Sequence, residues 1–179
     1  MASTKHTLVA LVEDKPGALN RMVSLFRRRG FNIASIAVGS SELEGFSRVT
    51  LVVDGPETMV EQVRKQLGKV IDVCKVSDIS GENIVIRELA LVKVKASSAN
   101  RGEIIQIVDV FRADIVDVAQ DSLTIEVTGD EEKIDSLIDL LRTFGIKEIV
   151  RTGRIAMTRG IIAPVEGKPL KAHNQAQTP

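Results

Sequence analysis

Asp14, Pro16 and Gly17 are the residues of this chain whose types and spacing most clearly suit a chemical task. They stand in VEDKPGALNRM, Val12–Met22, between a first apolar run and the start of a helical pattern. A helix N-terminus offers free backbone N–H groups and a partial positive charge. Pro16 suits a first helical turn, where its missing N–H costs nothing, and Gly17 sets no side chain in the path of an anion. A carboxylate could rest on the N–H groups of Gly17 and Ala18, while Asp14 could receive an ammonium group. Those are the two charged ends of a free amino acid. The same residues also make an ordinary turn followed by a helix, and local chemistry alone favours the turn. Asn32, after Gly30 and Phe31, reads by itself as a residue satisfying backbone groups between helix and strand. Arg48 reads as an exposed strand residue.

No other grouping suggests catalysis. The two histidines, His6 and His173, lie at opposite ends of the chain. Neither a Ser-His-Asp nor a metal-ligand spacing can be built on them. The single cysteine, Cys74, sits in the alternating run VIDVCKV and reads as a half-buried thiol. Asp130, Glu131 and Glu132 open a helical pattern, where negative charge complements the helix dipole. Gly-rich phosphate loops are missing. A stand-alone enzyme is not expected.

Composition narrows the partners. Lys plus Arg equals Asp plus Glu at 24 each, so no net field draws nucleic acid or anionic lipid. Aromatic residues are 3%, with no Trp or Tyr, which leaves few platforms for base stacking. The cluster Arg27, Arg28 and Arg29 reads as a solvated helix end with favourable dipole contacts. No apolar stretch is long enough to span a bilayer, and MASTKHTLV lacks a signal-peptide pattern. A soluble, cytoplasmic protein with an aliphatic core is expected.

The elements that must position the turn follow from periodicity. Thr7 to Val12 is apolar on both faces and reads as a central strand. Leu19, Met22, Val23 and Phe26 fall at helical spacing and are expected to face inward, with Gly30 as the stop. FNIASIAVG is a strand. FSRVTLVVDG is another, with Val49, Leu51 and Val53 on one face and Arg48 and Thr50 on the other. A helix near Pro56 carries Met59, Val63 and Leu67 inward, and Ile71 to Val76 closes the unit as a strand. The order, strand, helix, strand, strand, helix, strand, is the ferredoxin-like split βαβ unit with helices on one face.

The order then repeats. IVIRELALVKVKA is a strand, and Ile104, Ile107, Val108 and Phe111 mark a helix. DIVDVA and SLTIEVTG are strands, Ile134, Leu137, Ile138 and Leu141 mark a helix, and IKEIVRTGRIAM closes as one strand. The fold class is therefore α+β, two tandem ferredoxin-like βαββαβ domains over residues 1–80 and 81–162. Residues 163–179 read as a flexible tail. The second copy is about ten residues shorter between its first helix and third strand, and it has Arg101-Gly102 where the first has Pro-Gly.

LVEDKPGALNRMVSLFRRRGFNIASIAVGSSELEGFSRVTLVV resembles the N-terminal ACT domain of acetohydroxyacid (acetolactate) synthase small subunits. The shared features are the Pro-Gly-x-Leu helix start, LFRRRGFNI, the VG after it and SRVTLVV. The resemblance continues in order through VRKQLGKVIDVCKV, RELALVKV and IVDVFRADIVDV to RTGRIAMTRG, over about residues 6–160. It reverses the preference for a mere turn.

The resemblance implies a non-catalytic regulatory subunit and a homodimer. Its partner would be a large catalytic subunit that holds thiamine diphosphate, Mg and FAD, with no cofactor in this chain. The pair would make acetolactate for branched-chain amino acid synthesis. The small subunit would activate its partner and confer feedback inhibition, usually by valine. The effector would sit between the strand-to-helix turn of one chain (Asp14, Pro16, Gly17, Ala18 and Leu19) and the second strand of its neighbour (Asn32 and Ile33). Many relatives carry Asn at the position of Asp14. The second, ACT-like domain would contact the catalytic subunit. A free-standing amino-acid sensor acting on a transcription regulator is the alternative. One physical point supports pairing: the second strand is at a sheet edge, apolar, and free of the Lys or Pro that block such edges.

Overall fold

The computed structural model describes residues 5–160. The chain divides into two compact units, the first running to Ile84 and taking in the segment from Thr158, the second spanning Val85–Met157. In the first unit β1 (Lys5–Glu13), α1 (Ala18–Arg29), β2 (Ile33–Ser40), β3 (Phe46–Asp54), α2 (Glu57–Leu67) and β4 (Val73–Asp78) follow in order. The sheet is antiparallel, ordered β2-β3-β1-β4. This is the expected split βαβ arrangement.

Leu8, Ala10 and Val12 of β1 and Val49, Leu51 and Val53 of β3 turn to the helices and are buried there with Met22, Phe26, Val60 and Val63. The other side of the same strands is covered too: Thr7, Val9, Thr50 and Val52 are all buried. That double burial explains the run of apolar residues in β1, which lacks the polar alternation of a half-solvated strand.

Helix α1 is rotated from its expected setting. Ala18, Met22, Leu25 and Phe26 are buried, whereas Leu19 and Val23 are 43% and 42% exposed. In α2 Val60 is buried while Met59 is only half-buried, and Ile71 is exposed before β4 begins at Val73. Arg48 is half-buried rather than exposed.

The second unit repeats the plan. It contains β5 (Ile84–Lys95), α3 (Arg101–Val110), β6 (Asp114–Val118), β7 (Ser122–Gly129), α4 (Glu131–Leu141) and β8 (Ile146–Arg151), with sheet order β6-β7-β5-β8. Ile104, Val108, Ile134, Leu137, Ile138 and Leu141 are buried in a separate aliphatic core. Asp130 caps α4, its carboxylate accepting the Lys133 N–H at 2.9 Å.

The expected single closing strand is two strands. β8 ends at Arg151, and β9 (Ile155–Thr158) pairs β5 separately. Between them the Thr152 hydroxyl accepts the Leu89 N–H, a place a backbone carbonyl would hold in a continuous ladder. Arg151 and Arg154 then grip the buried Glu88, and Arg154 also reaches Glu131 on α4. The expected tail, 163–179, lies outside the described residues.

Candidate functional site

Lys15–Ala18 forms a hydrogen-bonded turn, closed by the Ala18 N–H donating to Lys15 O at 3.1 Å. Gly17 has φ 85° and ψ −6°, the third position of a type II turn, which favours glycine; proline is common just before it. Two readings of the sequence are corrected here. Pro16 belongs to the turn and α1 begins at Ala18. The Ala18 amide is also spent inside the turn, so it is not free to receive a carboxylate. Among the described residues the amide of Gly17 has no partner, and those of Leu19 and Asn20 are left as open donors of a helix N-terminus.

The turn is fastened on three sides. The Asp14 N–H donates to Gly45 O at 2.8 Å, in the β2–β3 connection. The Glu13 N–H donates to Asp72 O at 2.8 Å, just ahead of β4, and the Arg21 N–H donates to Gly17 O at 3.0 Å. Lys15 Nζ stands 2.6 Å from Glu13 Oε2, and that hydrogen bond and charge hold the Lys15 pKa above its ordinary value. Asp14 is exposed, and its carboxylate has no hydrogen-bond or ionic partner among the described residues.

Arg21 completes this end of the domain, and the reading of the sequence passed it over. Its Nε donates to Asp72 Oδ2 at 2.5 Å. The guanidinium hydrogen bond holds the Asp72 carboxyl below its usual range, against the opposing pull of burial. Arg21 falls four residues after Gly17, a helical spacing that the sequence displays, but its partner is 51 residues away. A cavity of about 480 Å³ opens between α1 and α2, and Asn20, Arg21, Arg28 and Lys69 are among its walls.

Asn32 is exposed and Ile33 is half-buried against the first core. Within one chain they do not meet the turn. Ile33 is opposite Val53, which is opposite His6, whereas the turn follows Glu13 at the other end of β1. From His6 to Glu13 is about 23 Å of strand. Between those ends Ile36 and Val38 lie in register with Leu51 and Val49, on the helix-bearing face, yet are 36% and 50% exposed. Ile36 and Val38 make an uncovered apolar flank on the β2 side of the domain, and Leu19 and Val23 of α1 are exposed as well.

The corresponding connection in the second unit is built differently. Asn100 Oδ1 accepts from the Ser97 N–H at 2.6 Å and the Ser97 hydroxyl at 3.1 Å, and Gly102 has no positive φ. Elsewhere, His6 Nδ1 lies 3.7 Å from Asp78 Oδ2 and Cys74 is half-buried. Among the described residues no cluster of His, Cys, Asp or Glu is placed to hold a metal ion. No helix there is long and apolar enough to cross a membrane.

Residues 8–75 match a family model described as the AHAS small subunit-like ACT domain, and residues 87–160 one described as the small subunit of acetolactate synthase. A probable acetolactate synthase small subunit of Archaeoglobus fulgidus is 56% identical over 156 residues, covering 87% of this chain and 98% of that one. An acetolactate synthase small subunit of Mycobacterium bovis is 48% identical over 160 residues, covering 89% and 95%. The crystal structure of the acetolactate synthase small subunit from Thermotoga maritima superposes with a TM-score of 0.82 at 42% identity, over 89% of this chain and 99% of that one. Matched in order across both units and over nearly the whole of its relatives' length, the chain belongs to the family of acetolactate synthase small, regulatory subunits.

Proposed function

We propose that this chain senses a branched-chain amino acid, valine foremost, and conveys its level to a separate catalytic subunit. That subunit carries the thiamine diphosphate, Mg and FAD. The small subunit activates it in the absence of effector and inhibits it when effector is bound. For this to happen valine must bind the inhibited arrangement of the complex more tightly than the active one.

The observation that carries the reading is the separation of the turn from Asn32 and Ile33 in a single chain, together with the apolar flank between them. Two chains pairing their β2 edges antiparallel about Ile36 would set Ile33 of one level with Gly39 of the other. Gly39 lies at the turn end of its domain, since it is in register with Arg48 and hence with Leu11. Asp14 and the open amides of one protomer would then face Asn32 and Ile33 of its partner, and Pro16, Gly17, Ala18 and Leu19 would complete the seat. The second unit, lacking such a turn, is assigned to contact with the catalytic subunit.

Calorimetric titration tests the seat. Asp14→Ala and Gly17→Asp are each expected to weaken valine binding about tenfold or more, a loss of about 1.4 kcal/mol, with circular dichroism unchanged. Unchanged affinity in both variants removes the assignment. Addition of this chain to the catalytic subunit, with and without valine, tests the wider reading through the rate of acetolactate formation.

A further inference from the structure

A carboxylate seat at the Pro16–Gly17 turn is short of one donor, because the Ala18 N–H is committed to Lys15 O. Donor capacity stands nearby on Arg21. Four residues into the helix from Gly17, its side chain leans back toward the N-terminus, as helical side chains do. Its Nη1 lies 3.1 Å from the point a Cβ on Gly17 would occupy. Its Nε is fixed on Asp72, which is only 5% exposed, and Asp72 is tied in turn by its own carbonyl to the Glu13 N–H.

A guanidinium carries five N–H donors in one rigid plane. Among the described residues only the Nε donor of Arg21 is engaged, so the two Nη groups are held in place with their hydrogens unspent. No acidic residue stands in the first turn of α1 to absorb them, and the nearby Glu13 carboxylate is taken by Lys15.

We propose that Arg21, oriented by Asp72, is a ligand of the effector's carboxylate group, acting beside the open amides of Leu19 and Asn20. The inference rests on the effector reading above and adds a full charge to a seat that otherwise offers only a helix end. A planar fork also matches a carboxylate in shape. It gives the buried Asp72 a purpose: it spends one edge of the guanidinium to aim the other.

Titration of the full-length chain with valine and with valinamide, whose neutral amide replaces the carboxylate, separates a ligand from a merely structural support. Arg21→Met is expected to weaken valine at least tenfold and valinamide less than threefold, so the preference for the acid collapses. Arg21→Lys, which keeps the charge and loses the fork, keeps part of that preference. Equal weakening of both compounds by Arg21→Met, or an unchanged valine affinity, overturns the assignment. If Arg21→Met does not fold, Arg21→Lys decides: a severalfold smaller preference for valine supports the assignment, and an undiminished one overturns it. An unsubstituted chain that binds neither compound overturns the effector reading itself, and the assignment falls with it.

Discussion

Gly17 and Gly30 bracket α1, and both have positive φ, 85° and 68°. A Cβ in that region costs about 1–2 kcal/mol at either position. The two differ in what lies above them: Arg21 at Gly17, and nothing within 4 Å at Gly30. Gly17→Ala and Gly30→Ala are therefore expected to lower stability comparably in urea unfolding, while only Gly17→Ala weakens valine binding. Equal effects on binding would mean that the turn contributes shape to the helix and nothing to the seat. The Asp-Lys-Pro-Gly turn was legible from residue types alone, because proline and glycine report their own backbone angles. Of the two amides expected to be free, that of Ala18 is engaged, since Pro16 fits equally a helix start and the second position of a type II turn. The Arg21–Asp72 pair was not legible at all: no local signal joins residues that only the fold brings together.

Strand β2 and helix α1 show what spacing decides and what it leaves open. α1 carries apolar residues at 18, 19, 22, 23, 25 and 26, so two stripes at helical period overlap. One is Leu19, Met22, Val23 and Phe26; the other is Ala18, Met22, Leu25 and Phe26. They share Met22 and Phe26, and only packing on the sheet selects the second. The first is not idle, for Leu19 and Val23 remain as exposed apolar surface, as do Ile36 and Val38 of β2. Val38→Asp is expected to give monomers by sedimentation while changing monomer stability by less than about 0.5 kcal/mol, as exposed substitutions do. A dimer that survives this charge at the β2 edge would place the interface elsewhere. The edge itself was visible in the sequence as an apolar strand without Lys or Pro, and the topology puts it where the element order requires.

At the scale of the whole molecule, two separate aliphatic cores and a repeated sheet order were legible, because each unit restates the same alternation of periods. The break between β8 and β9 was not. It depends on a Thr152 hydroxyl standing in for a carbonyl and on two arginines closing around Glu88, contacts without periodicity. The separation of the turn from Asn32 along β1 bears on how lesions combine. If each seat is shared across a pair of chains, an Asp14→Ala chain and an Asn32→Ala chain are each defective alone but can repair one another. In the hybrid pair one seat collects both lesions and the other collects none. After unfolding and refolding together in equal amounts, about a quarter of all seats should regain full affinity for valine, as random assortment of two-fold dimers requires. Placing both substitutions in one chain and mixing it with the unsubstituted chain reverses the pattern, leaving each hybrid seat with a single lesion. Defects in this domain would thus obey the rules of intragenic complementation, with the fold deciding which alleles are partners.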